Sequence, residues 1–522
     1  MQKELVTTDT LIIGSGIAGA TCALELAHLG HKVILITKNK KPEESNTYYA
    51  QGGIIYKGKD DSPSLLAKDI FNAGVNLSNP KAVDILTKVG PSLVKKFLID
   101  RIGVSFDREG FDLSLAKEGG HGIARIIHQA DATGKSIESA LIEKVKSNKK
   151  IKLLANLSAV DLITSSHNST NKLAIYDPVA CLGAYFFDPI DKRVVRIIAK
   201  NVVLATGGLG NVYLYSTNPD GARGDGIAMA QRAGARVINM EYVQFHPTAF
   251  YHKDAPRFLL TEAIRGDGAR LTNSNGVPFM DKYSKQWKDL APRDVVARAI
   301  YTEMLEGGIT NVYLDLKSYI SKERILTHFP NIHKECLKYG IDLTRDLVPV
   351  VPAAHYHCGG LWVDENGATT IKNLYAVGEV ACTGLHGANR LASTSLLEGL
   401  TWGYIAAHNI NRTKKTQVPN PTQIPQWVDQ GKEDPDPALI NQDTNLIKQI
   451  MWNCVGLVRN KERLTRAKAD LSYLTHRIES FYQQKNLNES LIGLRNLVLV
   501  GNLIANAAWE NTKSAGCHYR TD

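Results

Sequence analysis

Apolar residues fall in two different rhythms over the first forty positions. Residues 9–13 (DTLII) and 31–38 (HKVILITK) are short, dense apolar runs, while 14–30 (GSGIAGATCALELAHLG) spaces its apolar residues at helical intervals. This change of period predicts strand, turn and helix, then strand: a β-α-β unit. A helical stretch follows near 80–100, and a segment of mixed character runs to about 200. RIIAKNVVLATGG (196–208) then reads as a strand ending in glycines, a return to the same sheet. From about 240 to 350 Pro and Gly punctuate the chain and Arg is frequent. Strand signals resume at LWVD (361–364) and NLYAVGEV (373–380). The polar, Pro-rich stretch 414–437 reads as a linker. Beyond about 440 helical spacing with few turn signals predicts a helical bundle.

Length and composition narrow this picture. At 522 residues the chain exceeds one compact core and is expected to form two to four domains. No apolar run approaches the roughly 18 residues that span a bilayer, so no membrane association is expected. The first residues, MQKELVTTDTLIIG, lack the marks of a secretory signal. Seven scattered cysteines, with no C-x-x-C pair, point to a reducing compartment and a cytoplasmic protein. The net charge of +10 fits either a nucleic-acid surface or arginines gathered around an anionic substrate. The densest basic runs, 38–41 and 144–150, are short and without interleaved aromatics, so nucleic acid is not expected as a partner.

Gly14-Ser15-Gly16-Ile17-Ala18-Gly19 fits G-x-G-x-x-G between a strand and a helix. Such a turn brings backbone close to a pyrophosphate at a helix N-terminus. About 20 residues on, where an acidic residue would take a ribose hydroxyl, Lys38 stands instead. A second small and polar loop is Ser45-Asn46-Thr47-Tyr48-Tyr49-Ala50-Gln51-Gly52-Gly53. Together with LATGG (204–208), GDGIAMA (224–230) and Gly378-Glu379, these residues resemble the succinate dehydrogenase, fumarate reductase and L-aspartate oxidase family of flavoproteins, over essentially the whole chain. The resemblance implies an α/β fold with a Rossmann-like FAD-binding domain in two sequence segments, 1–237 and 353–415. An inserted α+β capping domain would occupy 238–352, hinged at linkers near 238 and 352. A linker and a C-terminal helical domain would occupy 416–522. It also implies that Lys38, residues 45–53, Asp225, Glu379, Ser395 and Leu396 line FAD. Respiratory members carry in this loop a histidine bonded covalently to the flavin. Asn46 stands at that position and has no nucleophilic nitrogen, so FAD is expected to be non-covalent.

The inserted segment carries Gln244-Phe245-His246-Pro247-Thr248, Thr261-Glu262-Ala263-Ile264-Arg265 and Pro292-Arg293-Asp294. His355-Tyr356-His357-Cys358 and His386-Gly387-Ala388-Asn389-Arg390 follow. A dicarboxylate needs two anion clamps, and the planar fork of Arg suits each. The His355–Cys358 run does not read as a metal site, because adjacent ligands are poorly spread for a tetrahedron. The resemblance implies that His246, Thr261, His355, Arg390 and Ser393 contact substrate and that Arg293 sits over the reacting carbons. It further implies that Glu262 and Arg265 relay protons to that arginine during fumarate reduction.

Aspartate differs from succinate by an α-ammonium, which needs an acceptor when buried. Lys117-Glu118-Gly119-Gly120-His121, just ahead of residues 125–134 (RIIHQADATG), offers Glu118. In the aspartate-oxidising members a glutamate in this context orients the amine. Leu391-Ala392-Ser393 and Cys358 match those members too, whereas His357 stands where a small residue is expected. The implied reaction is oxidation of L-aspartate to iminoaspartate, with oxygen (giving hydrogen peroxide) or fumarate as acceptor. It would open NAD biosynthesis through quinolinate synthase. Two other readings stay open: a soluble fumarate reductase or succinate dehydrogenase flavoprotein, and an FAD-containing RNA-modifying protein.

Overall fold

The structure, a computed structural model, describes residues 6–413 and 420–522. Its main sheet is ordered Ile151–Leu154, Val33–Ile36, Val6–Ile13, Arg193–Leu204, Cys181–Asp188 and Ser158–Thr164. Leu374–Ala376 joins the far half of Arg193–Leu204. The strands on the Ile151 side and Leu374–Ala376 are parallel, and the other two are antiparallel. The sheet is thus assembled from two separated segments of the chain. Both faces are covered. Ile17–His28, Pro80–Leu93, Thr133–Ser147 and Thr394–Arg412 pack on one, and Asp225–Arg232 with the C-terminal helices on the other. Double burial explains why Val33–Ile36 reads as a continuous apolar run rather than alternating.

Two glycines make the first turn possible. Gly14, at φ +114°, lies so close to Ala205 that a Cβ would come within 2.0 Å of its carbonyl oxygen. A Cβ on Gly19 would come within 2.0 Å of the Gly14 oxygen. The chain therefore leaves the sheet sharply and the helix Ile17–His28 seats directly on the strand ends.

The insert builds its own antiparallel sheet, ordered Val243–Phe250, Val348–His357, Val312–Asp315 and Arg270–Thr272, around a core including Leu271, Ile300, Leu314 and Val348. The linkers expected near 238 and 352 are strands instead. Val237–Ile238 pairs with Gly360–Trp362, and residue 352 lies within Val348–His357. The ladder shifts register between His246↔Ala353 and Ala249↔Val351. Pro247 and Pro352 fall in that irregularity, where no ladder donor is required.

Pro437–Val455, Lys461–Gln484 and Glu489–Glu510 form the C-terminal bundle. The boundary expected at 415/416 lies outside the described residues. One expectation is corrected: Glu489–Glu510 is long and apolar enough to cross a membrane. Its most apolar window is 67% buried within the protein, where Leu494, Leu497 and Ile504 belong to the core under the sheet. Arg495, Asn496 and Asn502 interrupt the apolar run in the sequence.

Candidate active site

A cavity of about 720 Å³ opens where the main sheet, the 45–53 loop, the insert and the C-terminal helices meet. Gly14 to Ala18, Lys38, Ser45 to Thr47, Tyr49 to Gly53, Asp225, Glu379, Ser395 and Leu396 all line it. So do Glu118, His246, Thr261, Glu262, Arg293, His355, Arg390 and Ser393. Three expected residues are not in the wall. Gly19 packs helix on strand. Tyr48 stands edge-on to Tyr49, with Lys135 over its ring. Arg265 is buried behind Glu262 and donates to the Asp289 carbonyl.

One end of the cavity has the features of a dinucleotide cradle. The helix Ile17–His28 starts there with no acidic residue in its first turn, leaving the positive end of its dipole free for an anion. Lys38 Nζ meets Asp225 Oδ2 at 2.7 Å, and Asn496 Nδ2 donates to Asp225 Oδ1 at 2.9 Å. Burial pushes the Asp225 carboxyl up, but the Lys38 and Arg223 charges outweigh it and hold the group well below its ordinary range. Lys38 thus replaces the missing acid by fixing a different carboxylate.

Asn46 Nδ2 donates to Glu379 Oε2 at 3.0 Å, and the His357 N–H donates to Glu379 Oε1 at 3.0 Å. Burial lifts the Glu379 carboxyl to about 7. The unexpected His357 has a buried ring whose two nitrogens are both unpartnered; burial holds it neutral with a pKa of about 3, and its backbone braces Glu379. Asn46 Oδ1 and Gln51 Oε1 are buried without partners in the same wall. Unmet acceptors beside a glycine turn and a free helix N-terminus fit a large polar cofactor with hydroxyl and amide groups, as FAD is.

The other end is built for anions. His246 sits at the ladder irregularity, fully buried. Its Nδ1 lies 3.2 Å from both the Thr248 N–H and the Thr248 carbonyl, and its Nε2 has no partner. His355 Nδ1 meets Thr217 Oγ1 at 2.9 Å, and the two imidazole rings stand edge to face at 5.4 Å. Burial, then neighbouring arginines, keep both rings neutral. Arg390 lies 4.6 Å over the Tyr356 ring. It donates to Gln244 Oε1 and Ser395 Oγ, each at 3.1 Å. Its Nε has no partner, and among the described residues no carboxylate lies within ion-pair distance of it. Its charge is free for a ligand.

Arg293 Nε donates to Glu262 Oε2 at 2.7 Å. Burial raises the Glu262 carboxyl, but Arg293 and Arg265 more than compensate and keep it ionised. Thr261 caps the short helix Glu262–Gly266. Glu118 reaches the edge of this group, its Oε2 accepting from Ser393 Oγ at 2.7 Å.

Several contributors lie outside the expected set. Gln244 braces Arg390 at both ends, its Nε2 donating to the Arg390 carbonyl at 2.9 Å. Tyr356 supplies the face beneath Arg390, and Thr217 orients His355. Lys448 and Ile492 reach the cavity from the C-terminal helices. Strand position could have marked Gln244 and Tyr356, one residue from nothing but apolar or site neighbours. No local signal marks Thr217 or Lys448.

Comparison with known proteins agrees with this geometry. Residues 9–396 match the FAD binding domain family, and residues 444–522 match the fumarate reductase flavoprotein C-terminal family. L-aspartate oxidase 1 of Ralstonia nicotianae is 44% identical over 519 residues, covering 98% of this chain and 95% of that protein. L-aspartate oxidase of Yersinia pestis is 43% identical, with 99% and 96% covered. A solved E. coli quinol fumarate reductase chain superposes with a TM-score of 0.89 at 27% identity, covering 99% of this chain and 92% of that one. The protein takes FAD as its cofactor, and the chain belongs to the L-aspartate oxidase family.

Proposed function

We propose that the protein oxidises L-aspartate to iminoaspartate at this site, using oxygen or fumarate as the electron acceptor. The observation that carries this reading is the placement of Glu118 beside the anion clamps, held by Ser393. An ammonium acceptor at the edge of a site with two cationic clamps, Arg293 and Arg390, suits aspartate, whereas a site without that acceptor would suit succinate or fumarate.

In this reading bound FAD would supply the two-electron acceptor for the hydrogen on the substrate Cα. Arg390 with His355, and His246 with Thr261, hold the two carboxylates, while Glu118 accepts from the ammonium and so turns the Cα–H toward the cofactor. During oxidation Arg293 stays charged and steers the substrate electrostatically rather than acting as a base. In the fumarate direction Arg293 delivers the proton to the substrate, and Glu262 and Arg265 relay its replacement. The insert and the C-terminal helices each contribute walls to the cavity.

The product hydrolyses readily, so an enzyme that consumes it rapidly, quinolinate synthase, is the natural functional partner in NAD biosynthesis. Seven unpaired cysteines, six of them buried, support a cytoplasmic setting.

The test is peroxide formation by FAD-reconstituted protein with aspartate against succinate. Oxidation of succinate with aspartate untouched would move the protein to the fumarate reductase reading. Glu118→Gln is expected to lose aspartate turnover by far more than fumarate reduction; equal losses would remove Glu118 from this role.

A further inference from the structure

Glu118 lies on an irregular segment, yet both partners of its contact with Ser393 are tied to one buried ionic group. Arg125 is completely buried and bonds two carboxylates: Nε to Asp61 Oδ2 at 3.0 Å and Nη1 to Asp69 Oδ2 at 2.6 Å. Asp69 belongs to the helix Pro63–Ala73 and also accepts from the Gly122 N–H at 2.9 Å. His121, between Glu118 and Gly122, is 4% exposed. Its Nδ1 lies 3.4 Å from Arg125 Nη1, which can only donate. That contact makes Nδ1 the acceptor and places the imidazole proton on Nε2. Nε2 is 3.0 Å from the Ala392 carbonyl, which can only accept.

Ala392 directly precedes Ser393. The chain of contacts therefore closes on itself: Asp69, Arg125, His121, Ala392, Ser393, Glu118, and back along the backbone to His121. Ser393 needs such support, because it sits at φ +58°, a left-handed conformation costly for a residue with a side chain. Burial, the largest influence on His121, favours the neutral ring this arrangement requires.

We propose that Asp69 and Arg125, acting through His121, are positioning residues for Glu118, and so set the preference for an amine-bearing dicarboxylate over one without the amine. A buried ion pair is weak evidence for stability, since its desolvation offsets much of its attraction; fixing one conformation is its better-attested use. The inference rests on the role of Glu118 proposed above.

The test uses the full-length, FAD-reconstituted protein. Aspartate oxidation is followed by peroxide, and fumarate reduction with a chemically reduced viologen dye. Asp69→Asn is expected to lower kcat/KM for aspartate by about ten- to a hundredfold, as a misplaced group does. It should leave fumarate reduction within about threefold. His121→Gln, which keeps both ion pairs, is expected to shift the same ratio and serves if Asp69→Asn fails to bind FAD. Combined with Glu118→Gln, either change should add little further loss, because residues acting as one unit are not additive. Equal losses in both activities, or full additivity with Glu118→Gln, would overturn the proposal. A Glu118→Gln protein that alone shows no selective loss would instead overturn the underlying reading.

Discussion

The Glu262 carboxylate is wedged between Arg293 and the Glu118 segment: Arg293 Nε donates to Oε2 at 2.7 Å, and a Cβ on Gly119 would come within 2.1 Å of Oε1. The same side chain thus faces the arginine and the loop that carries the amine acceptor. Proton delivery to fumarate needs a group that exchanges protons, whereas holding aspartate needs only the charge of Arg293. Glu262→Gln is therefore expected to lower dye-driven fumarate reduction by about a hundredfold or more, and aspartate oxidation by less than about tenfold. Matching losses in the two assays would mean that Glu262 only positions Arg293.

Arg390 is the clamp without a carboxylate partner, so it gives up little when a ligand arrives. Arg390→Leu should raise KM for aspartate, and the inhibition constant of succinate, by about a hundredfold, the worth of a buried charge-assisted bond of roughly 2–3 kcal/mol. Tyr356→Phe keeps the ring under the guanidinium but removes a hydroxyl that donates to Glu398 Oε2 at 2.8 Å. It should cost only about threefold. Steady-state kinetics with succinate as competitor distinguishes the two; equal effects would assign Tyr356 more than a platform.

The cradle was legible in the sequence because its parts are contiguous. A glycine turn and a small-residue loop announce close backbone approach, whichever ligand follows. The anion site was legible only as scattered histidines and arginines, since His246, Arg293, His355 and Arg390 come from four separate stretches of chain. Gln244 and Thr217 act by bracing those groups, and a brace has no composition of its own. Asp69 and Arg125 were hidden for the same reason: an aspartate on an otherwise amphipathic helix reads as a surface charge until its partner is placed 56 positions away. The linkers expected near 238 and 352 pair as strands instead, because partners distant in sequence complete each ladder.

Glu379 makes pH a test of the cofactor end. Its carboxyl titrates near 7 in the folded protein against an ordinary 4.5. Below about pH 4.5 both states are protonated and the group contributes nothing. Between 4.5 and 7 the unfolded chain releases the proton first, so folded stability falls as pH rises, by on the order of 3 kcal/mol in all, and stays level above 7. Glu379→Gln cannot ionise. The melting temperature of the FAD-free variant should therefore gain on that of the unaltered FAD-free protein as pH goes from 5 to 7.5. Parallel curves would show that Glu379 ionises normally.

The C-terminal bundle is expected to tune cofactor affinity from outside the main sheet. Asn496, on the helix Glu489–Glu510, donates to Asp225 Oδ1 while Lys38 holds the other oxygen. Asn496→Ala removes a charge-assisted hydrogen bond to a buried carboxylate, worth about 1.5–3 kcal/mol, together with the bond it accepts from Arg232 at 2.8 Å, so the Kd for FAD should weaken by about ten- to a hundredfold. At saturating FAD the KM for aspartate should not move, because Asn496 touches neither clamp. Titration followed by quenching of flavin fluorescence measures the first, and steady-state kinetics the second. With Asn46 in place of a nucleophilic side chain, acid precipitation should leave the flavin in solution for both proteins. Unchanged FAD affinity in Asn496→Ala, with only a lowered melting temperature, would reduce the bundle to mechanical support.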